Sequence, residues 1–243
     1  MMSTPFLGEF LGTMVLIVFG NGVVANTVLK QSKAEGAGWL NIILGWGLGV
    51  LFGVFVAIAC GAPQADINPA VTFAKLLNGV YSGSDAIMIM FSQIAGGIAG
   101  GIFTWLFFRG HWELTEDQGT KLAVFCTGPA IRNYGQNFLC EVMATFMLIF
   151  PIFAMFAKPV GPMAPGVGPY MVGLLVVALG SALGGPTGYA LNPARDLGPR
   201  IAHAICPIAG KGSSDWSYSW IPVIAPFVGG GIAFAVSKAL GLI

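Results

Sequence analysis

The chain has 243 residues, of which 56% are hydrophobic and only 9% are charged, and its mean hydropathy is +0.80. Because a soluble domain carries about 25% charged residues, this composition predicts an integral membrane protein in a lipid bilayer. Acidic and basic residues nearly cancel to a formal net charge of +1. That balance leaves no basic surface to neutralise phosphates, so nucleic acid is not expected as a partner.

Residues that commonly carry chemistry are few. The two histidines, His111 and His203, lie far apart in the chain, which disfavours a histidine-based metal site. The four cysteines contain no CxxC pair and are interpreted as small apolar packing residues. No pairing of a nucleophile with a base stands out. We therefore expect no metal, no cofactor and no enzymatic activity.

The first half of the chain contains three apolar runs long enough to cross a bilayer. Residues 6 to 29 carry a single charge, Glu9, and at about 1.5 Å per residue they can span ~30 Å of hydrocarbon. No basic region precedes this run, so we expect a retained membrane helix and not a signal peptide. A second run extends from Trp39 to Cys60, and a third lies within Asp85 to Arg109.

A short helix is predicted between the second and third runs. It begins at Asn68-Pro69-Ala70, where Asn is a favoured N-cap and Pro suits the first helical position. Asn78-Gly79 is a typical C-cap sequence and predicts the end of this helix. About ten helical residues reach only half-way across a membrane.

The second half of the chain repeats this order. Residues 133 to 157 are apolar with one acid, Glu141, and the sequence around Glu141 matches the sequence around Glu9. A fifth crossing and a Gly/Pro-rich break follow within residues 159 to 194, which carry no charge. Asn192-Pro193-Ala194 then begins a second short helix that should end near Pro207, and the sixth crossing covers about Tyr218 to Val236.

This repetition predicts a single domain with an inverted repeat. Repeat one covers about residues 1–108, an exposed polar loop about 109–132, and repeat two about 133–243. Because each repeat crosses the membrane three times, the second must be inverted relative to the first. The predicted fold is an all-α membrane protein with six transmembrane helices and two re-entrant half-helices that meet near the midplane.

Two helix N-termini inside a bilayer indicate a pore. Non-helical backbone is tolerated at that depth of the membrane only where it is buried in protein or lines water. Capping alone could explain one Asn-Pro box, but two boxes at similar distances after an acid-bearing helix favour a shared function. The helix dipoles would repel cations and protons, and the Asn amides could donate to a passing oxygen. Backbone carbonyls before each box are the expected pore-lining acceptors: Ala65, Asp66, Ile67, Gly188, Ala190 and Leu191.

The paired Asn-Pro-Ala boxes, the Glu-x-x-x-Thr pattern in the first and fourth crossings and the inverted repeat resemble the major intrinsic protein family. This family comprises the aquaporins and glycerol facilitators, and the resemblance covers essentially the whole chain. It implies a passive channel that excludes ions and protons, as expected of aquaporin-type pores. It further implies a plasma-membrane location, cytoplasmic termini and a homotetramer.

The resemblance also implies a selectivity filter near the extracellular mouth. Arg195, which follows the second box, would supply a permanent cation and several donors. The other filter positions align with Trp46, Gly180 and Tyr189. Water-selective relatives usually have His at the Gly180 position, so Gly here opens the constriction. Asp196 is typical of the glycerol-conducting branch and is expected to give structural support.

Two positions depart from the family pattern. Asp66 stands where His is common, and Tyr189 stands where glycerol facilitators often have Phe. We expect glycerol as the main solute, with water; the alternatives are protonated lactic acid, dihydroxyacetone or urea. An ion-coupled transporter is disfavoured because no intramembrane acid–base pair stands out.

Glu9 and Glu141 are interpreted as structural acids that bind backbone amides of the broken loops. A proton relay is the alternative for intramembrane acids, but it would conflict with a positive pore centre.

Overall fold

The computed structural model describes residues 4–243, which form nine α-helices joined by short connections. In chain order the helices are α1 Pro5–Val28, α2 Gly38–Ala59, α3 Pro69–Leu77, α4 Gly83–Phe107, α5 Gln118–Phe125, α6 Tyr134–Met155, α7 Val167–Leu183, α8 Pro193–Ile205 and α9 Trp216–Ala239.

Helix length separates the membrane crossings from the short helices. Helices α1, α2, α4, α6 and α9 have 22 to 25 residues and a mean hydropathy of 1.7 to 2.5, enough to span a membrane. Helix α7 is also apolar and has 17 residues, the lower end of the range for a crossing. Helices α3 and α8, with 9 and 13 residues, are the two predicted half-helices. The expected set of six long and two short helices is therefore present.

Helix packing follows one pattern in the two halves, with one difference in extent. Helix α1 packs closely against α2 and α4, whereas α6 packs closely against α9 and only slightly against α7. Each short helix lies against the last long helix of the other half, α3 on α9 and α8 on α4, while α2 packs on α7. This exchange is the pattern that an inverted repeat produces. The residue boundaries of the repeats stay a prediction.

Two glycine pairs permit the close packing at corresponding positions of α4 and α9. A Cβ atom on any of the four would lie within about 3.0 Å of a carbonyl oxygen on a neighbouring helix: Gly96 against Phe10, Gly97 against Ala194, Gly229 against Val142, and Gly230 against Ala70. One glycine of each pair faces the acid-bearing helix, and the other faces a short helix. Glycine thus brings these backbones together, as small residues do in membrane proteins.

The connection between the halves, predicted as an exposed loop over residues 109–132, has mostly exposed residues but is not only a loop. It contains α5, and the buried rings of Trp112 and Phe125 stack with centroids 5.6 Å apart. Lys121 is only 2% exposed because its ammonium group donates to the carbonyl of Ala209. The high charge content suggested a solvated segment. Helix α5 instead packs against α1 and α8 and buries its apolar face.

Candidate functional site

The two Asn-Pro-Ala boxes begin the two short helices. The Asn68 side chain caps α3 by accepting from the amide of Ala70 at 2.9 Å. The Asn192 side chain caps α8 by accepting from the amides of Ala194 at 3.0 Å and Arg195 at 3.1 Å. Pro69 and Pro193 occupy the first helical positions, where a missing N–H costs nothing. Both helix starts therefore have the local structure that their sequence predicts.

Hydrogen bonds cross between the boxes. The side-chain amide of Asn68 donates to the carbonyl of Leu191 at 3.0 Å, and that of Asn192 donates to the carbonyl of Ile67 at 2.8 Å. The N-termini of α3 and α8 consequently meet with their partial positive charges close together. Each Asn keeps a second amide hydrogen that these contacts do not use.

The backbone before each box contains residues with positive φ that are not glycine. These are Ala65 at +44°, Ile67 at +44°, Tyr189 at +39° and Leu191 at +57°. Such conformations cost about 1–3 kcal/mol each and persist where the surroundings enforce them, often at functional sites. In each segment the two residues with positive φ flank one whose φ is not positive, Asp66 in the first and Ala190 in the second.

The six carbonyls expected to line a pore fall into two groups. Those of Ile67 and Leu191 each use one lone pair in the bonds between the boxes. Within residues 4–243, no hydrogen bond uses the remaining four, on Ala65, Asp66, Gly188 and Ala190. Their acceptor capacity is therefore available to a solute that reaches them.

Two buried carboxylates hold the backbone before the boxes. Glu9 accepts from the amides of Asp66 and Ile67, both at 2.7 Å. Glu141 accepts from the amides of Ala190 and Leu191, both at 3.0 Å. Each acid is about 1% exposed. One carboxylate thus satisfies two consecutive backbone donors that would otherwise be unpaired in the membrane.

Polar residues missed by the sequence analysis complete these contacts. Gln93 on α4 donates to Glu9 at 2.9 Å and to the hydroxyl of Thr72 at 3.0 Å. Thr187 donates to Glu141 at 2.6 Å. A glutamine inside an apolar crossing was the signal that could have identified Gln93. Thr187 sits in a polar break and gave no comparable signal.

Asp66 points into the wall beside the first box. Its carboxylate accepts from Thr72 at 2.9 Å and from Tyr81 at 2.8 Å, and it forms an ion pair with Lys75. The Lys75 ammonium also donates to the carbonyl of Gln64 at 3.0 Å. The Asp66 side chain is fully buried, and that of Lys75 is 16% exposed. The residue that replaces the family's usual His is thereby neutralised within the protein.

The four predicted filter residues form two contacting pairs. The guanidinium carbon of Arg195 lies 3.8 Å from the ring centroid of Trp46, a cation–π contact. A Cβ on Gly180 would lie 2.7 Å from the ring carbon Cζ of Tyr189, so the absence of a side chain at 180 makes room for Tyr189. Gly20 similarly makes room for the Trp46 ring.

Asp196 does not face the filter, although it follows Arg195 directly. It is fully buried and accepts from the amide and the hydroxyl of Thr127, both at 2.7 Å. Arg200, one turn further along α8, donates to Asp196 at 2.8 Å, to the carbonyl of Ser214 at 2.8 Å and to that of Thr127 at 3.0 Å. This cluster joins α8 to the segments before and after it. The i, i+4 spacing of Asp196 and Arg200 could have identified it.

A cavity of about 480 Å³ lies on one side of the boxes. Asn68 and Asn192 form its inner end, Lys75 lines its wall, and most other lining residues are apolar. A water molecule takes about 30 Å³ in the liquid, so the cavity can hold a file of waters or a small solute. The cavity thus leads to the two Asn side chains, the predicted pore centre, and the predicted filter residues pack closely together.

The family model of major intrinsic proteins matches residues 2–236. The chain belongs to the major intrinsic protein family. It is 50% identical to glycerol uptake facilitator protein 3 of Lactiplantibacillus plantarum, over 98% of each chain, and 42% identical to the D/L-lactic acid transporter of the same organism, over 96% of this chain and 95% of that one.

A solved structure of the aquaglyceroporin from Plasmodium falciparum superimposes on this major intrinsic protein with a TM-score of 0.84. It is 28% identical and covers 96% of this chain and 94% of that one. The expected aquaporin fold is thereby confirmed, and the family is one of membrane channels and transporters.

Proposed function

We propose that this major intrinsic protein is a passive channel for glycerol and similar small uncharged solutes, and for water. The observation that carries the proposal is the junction of the two boxes, where Asn68 and Asn192 each bind the carbonyl before the other. Such a junction joins two half-helices into one continuous pore centre. The 50% identity to a glycerol uptake facilitator supports glycerol as the main solute.

The filter has the two kinds of surface that a polyol needs. Trp46 and Tyr189 present aromatic carbon to the solute's carbon chain, and Arg195 presents donors to its hydroxyl groups. Gly180 contributes no side chain, and the Tyr189 ring takes the space, so this wall of the constriction is an aromatic ring and not a second polar side chain. Carbonyls of Gly188 and Ala190 can accept from the solute's hydroxyls.

Ion and proton exclusion follows from the charges at the pore. The N-termini of α3 and α8 together place about one elementary charge of partial positive charge at the centre, and Arg195 adds a full one at the filter. Glu9 and Glu141 are occupied by backbone amides, which supports a structural role and not a proton relay.

Lactic acid in its protonated form is the second candidate solute. The 42% identity to a D/L-lactic acid transporter favours it, and Arg195 can donate to a carboxylic acid oxygen. We place it second because the glycerol facilitator is the more similar relative.

We further propose a plasma-membrane location with cytoplasmic termini and assembly as a homotetramer. Large apolar side chains on the outer helix faces, including Leu48, Phe52 and Phe107, are exposed in the single chain and suit contact with lipid or a second copy. Mass spectrometry of the protein released from detergent would give the oligomeric state, and a monomer would contradict the tetramer.

Stopped-flow light scattering on proteoliposomes tests the function. Glycerol, lactic acid at acidic pH and water are measured in parallel against protein-free vesicles. We expect the largest relative increase for glycerol, without saturation and without an ion gradient. Saturable uptake that depends on an ion gradient would contradict a channel, and a larger increase for lactic acid would exchange the order of the two candidates.

Gly180→Ala tests the filter within the same assay. The added Cβ would lie 2.7–2.8 Å from Tyr189 and 2.8 Å from Ile43, so the constriction must narrow or distort. We expect glycerol permeability to fall about tenfold, as for an overpacked site, and water permeability to fall less. Gly185→Ala is the matched control, because its Cβ meets no atom within 4 Å. Equal losses of glycerol and water would argue against the filter assignment.

A further inference from the structure

Lys75, in the last turn of α3, is a basic residue on the wall of the cavity beside the boxes. Its side chain is 16% exposed, whereas the side chain of its ion-pair partner, Asp66, is fully buried. The cavity therefore meets the basic member of the pair and not the carboxylate. A solute that enters the cavity can reach this side chain.

The ammonium group of Lys75 keeps one donor that the protein does not use. An ammonium group has three hydrogens to donate. Those of Lys75 serve the carboxylate of Asp66 and, at 3.0 Å, the carbonyl of Gln64, and within residues 4–243 the third has no acceptor. The ammonium group of Lys211, by contrast, donates to three carbonyls near the end of α8. Lys211 is thus fully used within the protein, whereas Lys75 can bind a further partner.

Unused acceptors line the same cavity. The carbonyls of Ala65 and Asp66 accept no hydrogen bond within residues 4–243, and both residues belong to the cavity wall. They directly follow Gln64, whose carbonyl Lys75 binds, so donor and acceptors lie along one stretch of backbone. A hydroxyl group both donates and accepts, so it can accept from Lys75 and donate to one of these carbonyls.

The rest of the cavity gives this polar stretch its importance. Most of the other lining residues are apolar. A polyol that leaves water for such a cavity loses hydration, and hydrogen bonds from the wall must offset that loss.

Asp66 holds the ammonium group of Lys75 at this stretch. The Asp66 carboxylate is itself fixed by the hydroxyls of Thr72 at 2.9 Å and Tyr81 at 2.8 Å. It also offsets the charge of Lys75, without which a cation on a largely apolar wall would be unfavourable. The wall thus offers a donor and two acceptors with no net charge from the pair.

We propose that Lys75 and the carbonyls of Ala65 and Asp66 form a second solute-binding site, separate from the filter, and that Asp66 positions Lys75 in it. Because the pair has no net charge, the site suits a neutral polyol and not an anion. The filter at Arg195 still selects the solute, and the second site stabilises a polyol within the cavity. This inference rests on the proposed channel function.

Lys75→Met, measured in proteoliposomes for glycerol and water, tests the proposal. The variant keeps an unbranched side chain but removes the donor. We expect glycerol permeability to fall about three- to tenfold, as for one lost hydrogen bond, and water permeability to fall less, because waters in the cavity also bind one another. The glycerol-to-water ratio therefore falls. Equal losses would show a purely structural role, and a rising ratio would show that Lys75 obstructs the cavity; either result overturns the proposal.

Two variants provide the rescue and the control. Lys75→Arg keeps a cation with free donors, and we expect it to retain most of the wild-type ratio. A ratio as low as that of Lys75→Met would overturn the role of the donor. Lys238→Met is the matched control, because Lys238 is exposed near the end of α9 and does not line the cavity. We expect its ratio to equal that of the wild type, and a fall as large as in Lys75→Met would overturn the assignment.

Sodium lactate at pH 7 tests the preference for neutral solutes. We expect it to leave wild-type glycerol permeability unchanged relative to sodium chloride of equal concentration. Inhibition by lactate would show that the site takes carboxylate anions and would overturn this part of the proposal. Wild-type protein without glycerol flux above protein-free vesicles would instead refute the channel function itself, whereas normal wild-type flux with an unchanged ratio in Lys75→Met refutes only the second site.

Discussion

The junction before α3 and the junction before α8 share one design and differ in their charges. In both, a buried carboxylate accepts from two consecutive amides, and an Asn caps its own helix and binds across to the other. At the first junction the nearby cation, Lys75, is paired with Asp66. At the second, Arg200 is paired with Asp196, but a further cation, Arg195, lies on the Trp46 ring.

This difference separates pore construction from solute selection. The shared contacts satisfy backbone groups that any broken helix in a membrane leaves unpaired, and they must therefore occur twice. Arg195 has no counterpart after the first box, where Val71 stands. The unmatched residue is consequently the one expected to discriminate between solutes. Five predictions test the comparison of the two junctions and of the contacts around them.

The largest effect is expected for Glu9→Gln and Glu141→Gln. A glutamine has one carbonyl oxygen, so one of the two backbone donors at each junction loses its acceptor, at about 1–3 kcal/mol for each unpaired group. We expect both variants to lower the thermal unfolding midpoint in detergent. We also expect both to reduce glycerol flux more than tenfold, and the two variants should be affected to similar extents. Flux lost in only one variant would contradict the equivalence of the junctions.

The same two variants test the proton relay. A pH-sensitive dye inside the vesicles reports proton entry. If Glu9 and Glu141 have only a structural role, protons enter vesicles that contain the wild-type protein no faster than they enter protein-free vesicles. Neither variant should change this rate. A wild-type leak abolished by Glu9→Gln or Glu141→Gln would favour the relay.

Arg200→Met and Lys75→Met compare the two ion pairs. Removing Arg200 leaves Asp196 as a buried charge without its cation, which costs about 3–5 kcal/mol. Removing Lys75 should cost less than removing Arg200, because the Lys75 side chain is 16% exposed and water can approach the space that it leaves, whereas Arg200 is fully buried. Thermal unfolding in detergent measures both, and Arg200→Lys should recover part of the loss. Equal destabilisation would remove the distinction between the pairs.

Gly97→Ala and Gly230→Ala compare how tightly each short helix is held. The added Cβ would lie 2.6 Å from a backbone oxygen of α8 in the first variant and 3.0 Å from one of α3 in the second. We expect about 1–3 kcal/mol of destabilisation for Gly97→Ala and less for Gly230→Ala. Gly83→Ala, whose Cβ meets no atom within 4 Å, is the neutral control. The reverse order would show that α3 is the more tightly packed.

Arg132→Gln is expected to have the smallest effect. Hydrogen bonds from Arg132 lower the pKa of Asp215, so this pair contributes stability above the ordinary carboxyl pKa of about 3.9 and loses it as the pH falls through the lowered value. Because the pair is partly exposed, we expect less than about 1 kcal/mol at pH 7, constant from pH 5 to 8. A loss that changes between pH 5 and pH 8 would contradict this assignment. Glycerol flux should not change.

Sequence reasoning succeeded where a residue acts on its immediate neighbours. The caps at Asn68 and Asn192 depend on the next three residues, and the crossings depend on continuous apolar runs. It failed for residues 109–132, where charged positions concealed α5. It also missed Arg200 and Trp39, whose partners Thr127 and Gly180 are 73 and 141 residues away.

Sequence by itself determined the membrane class, the two helix starts and the two acids that precede them at similar distances, because these are local features or features repeated along the chain. Only the tertiary structure decided that Lys75 neutralises Asp66, that Arg200 joins three segments, and that Tyr189 places its hydroxyl in the space left by Gly180. Two of these pairs are only nine residues apart, but each joins a helix to an irregular segment, and Arg200 binds segments 14 and 73 residues away. No spacing along the chain encodes how an irregular segment folds back onto a helix.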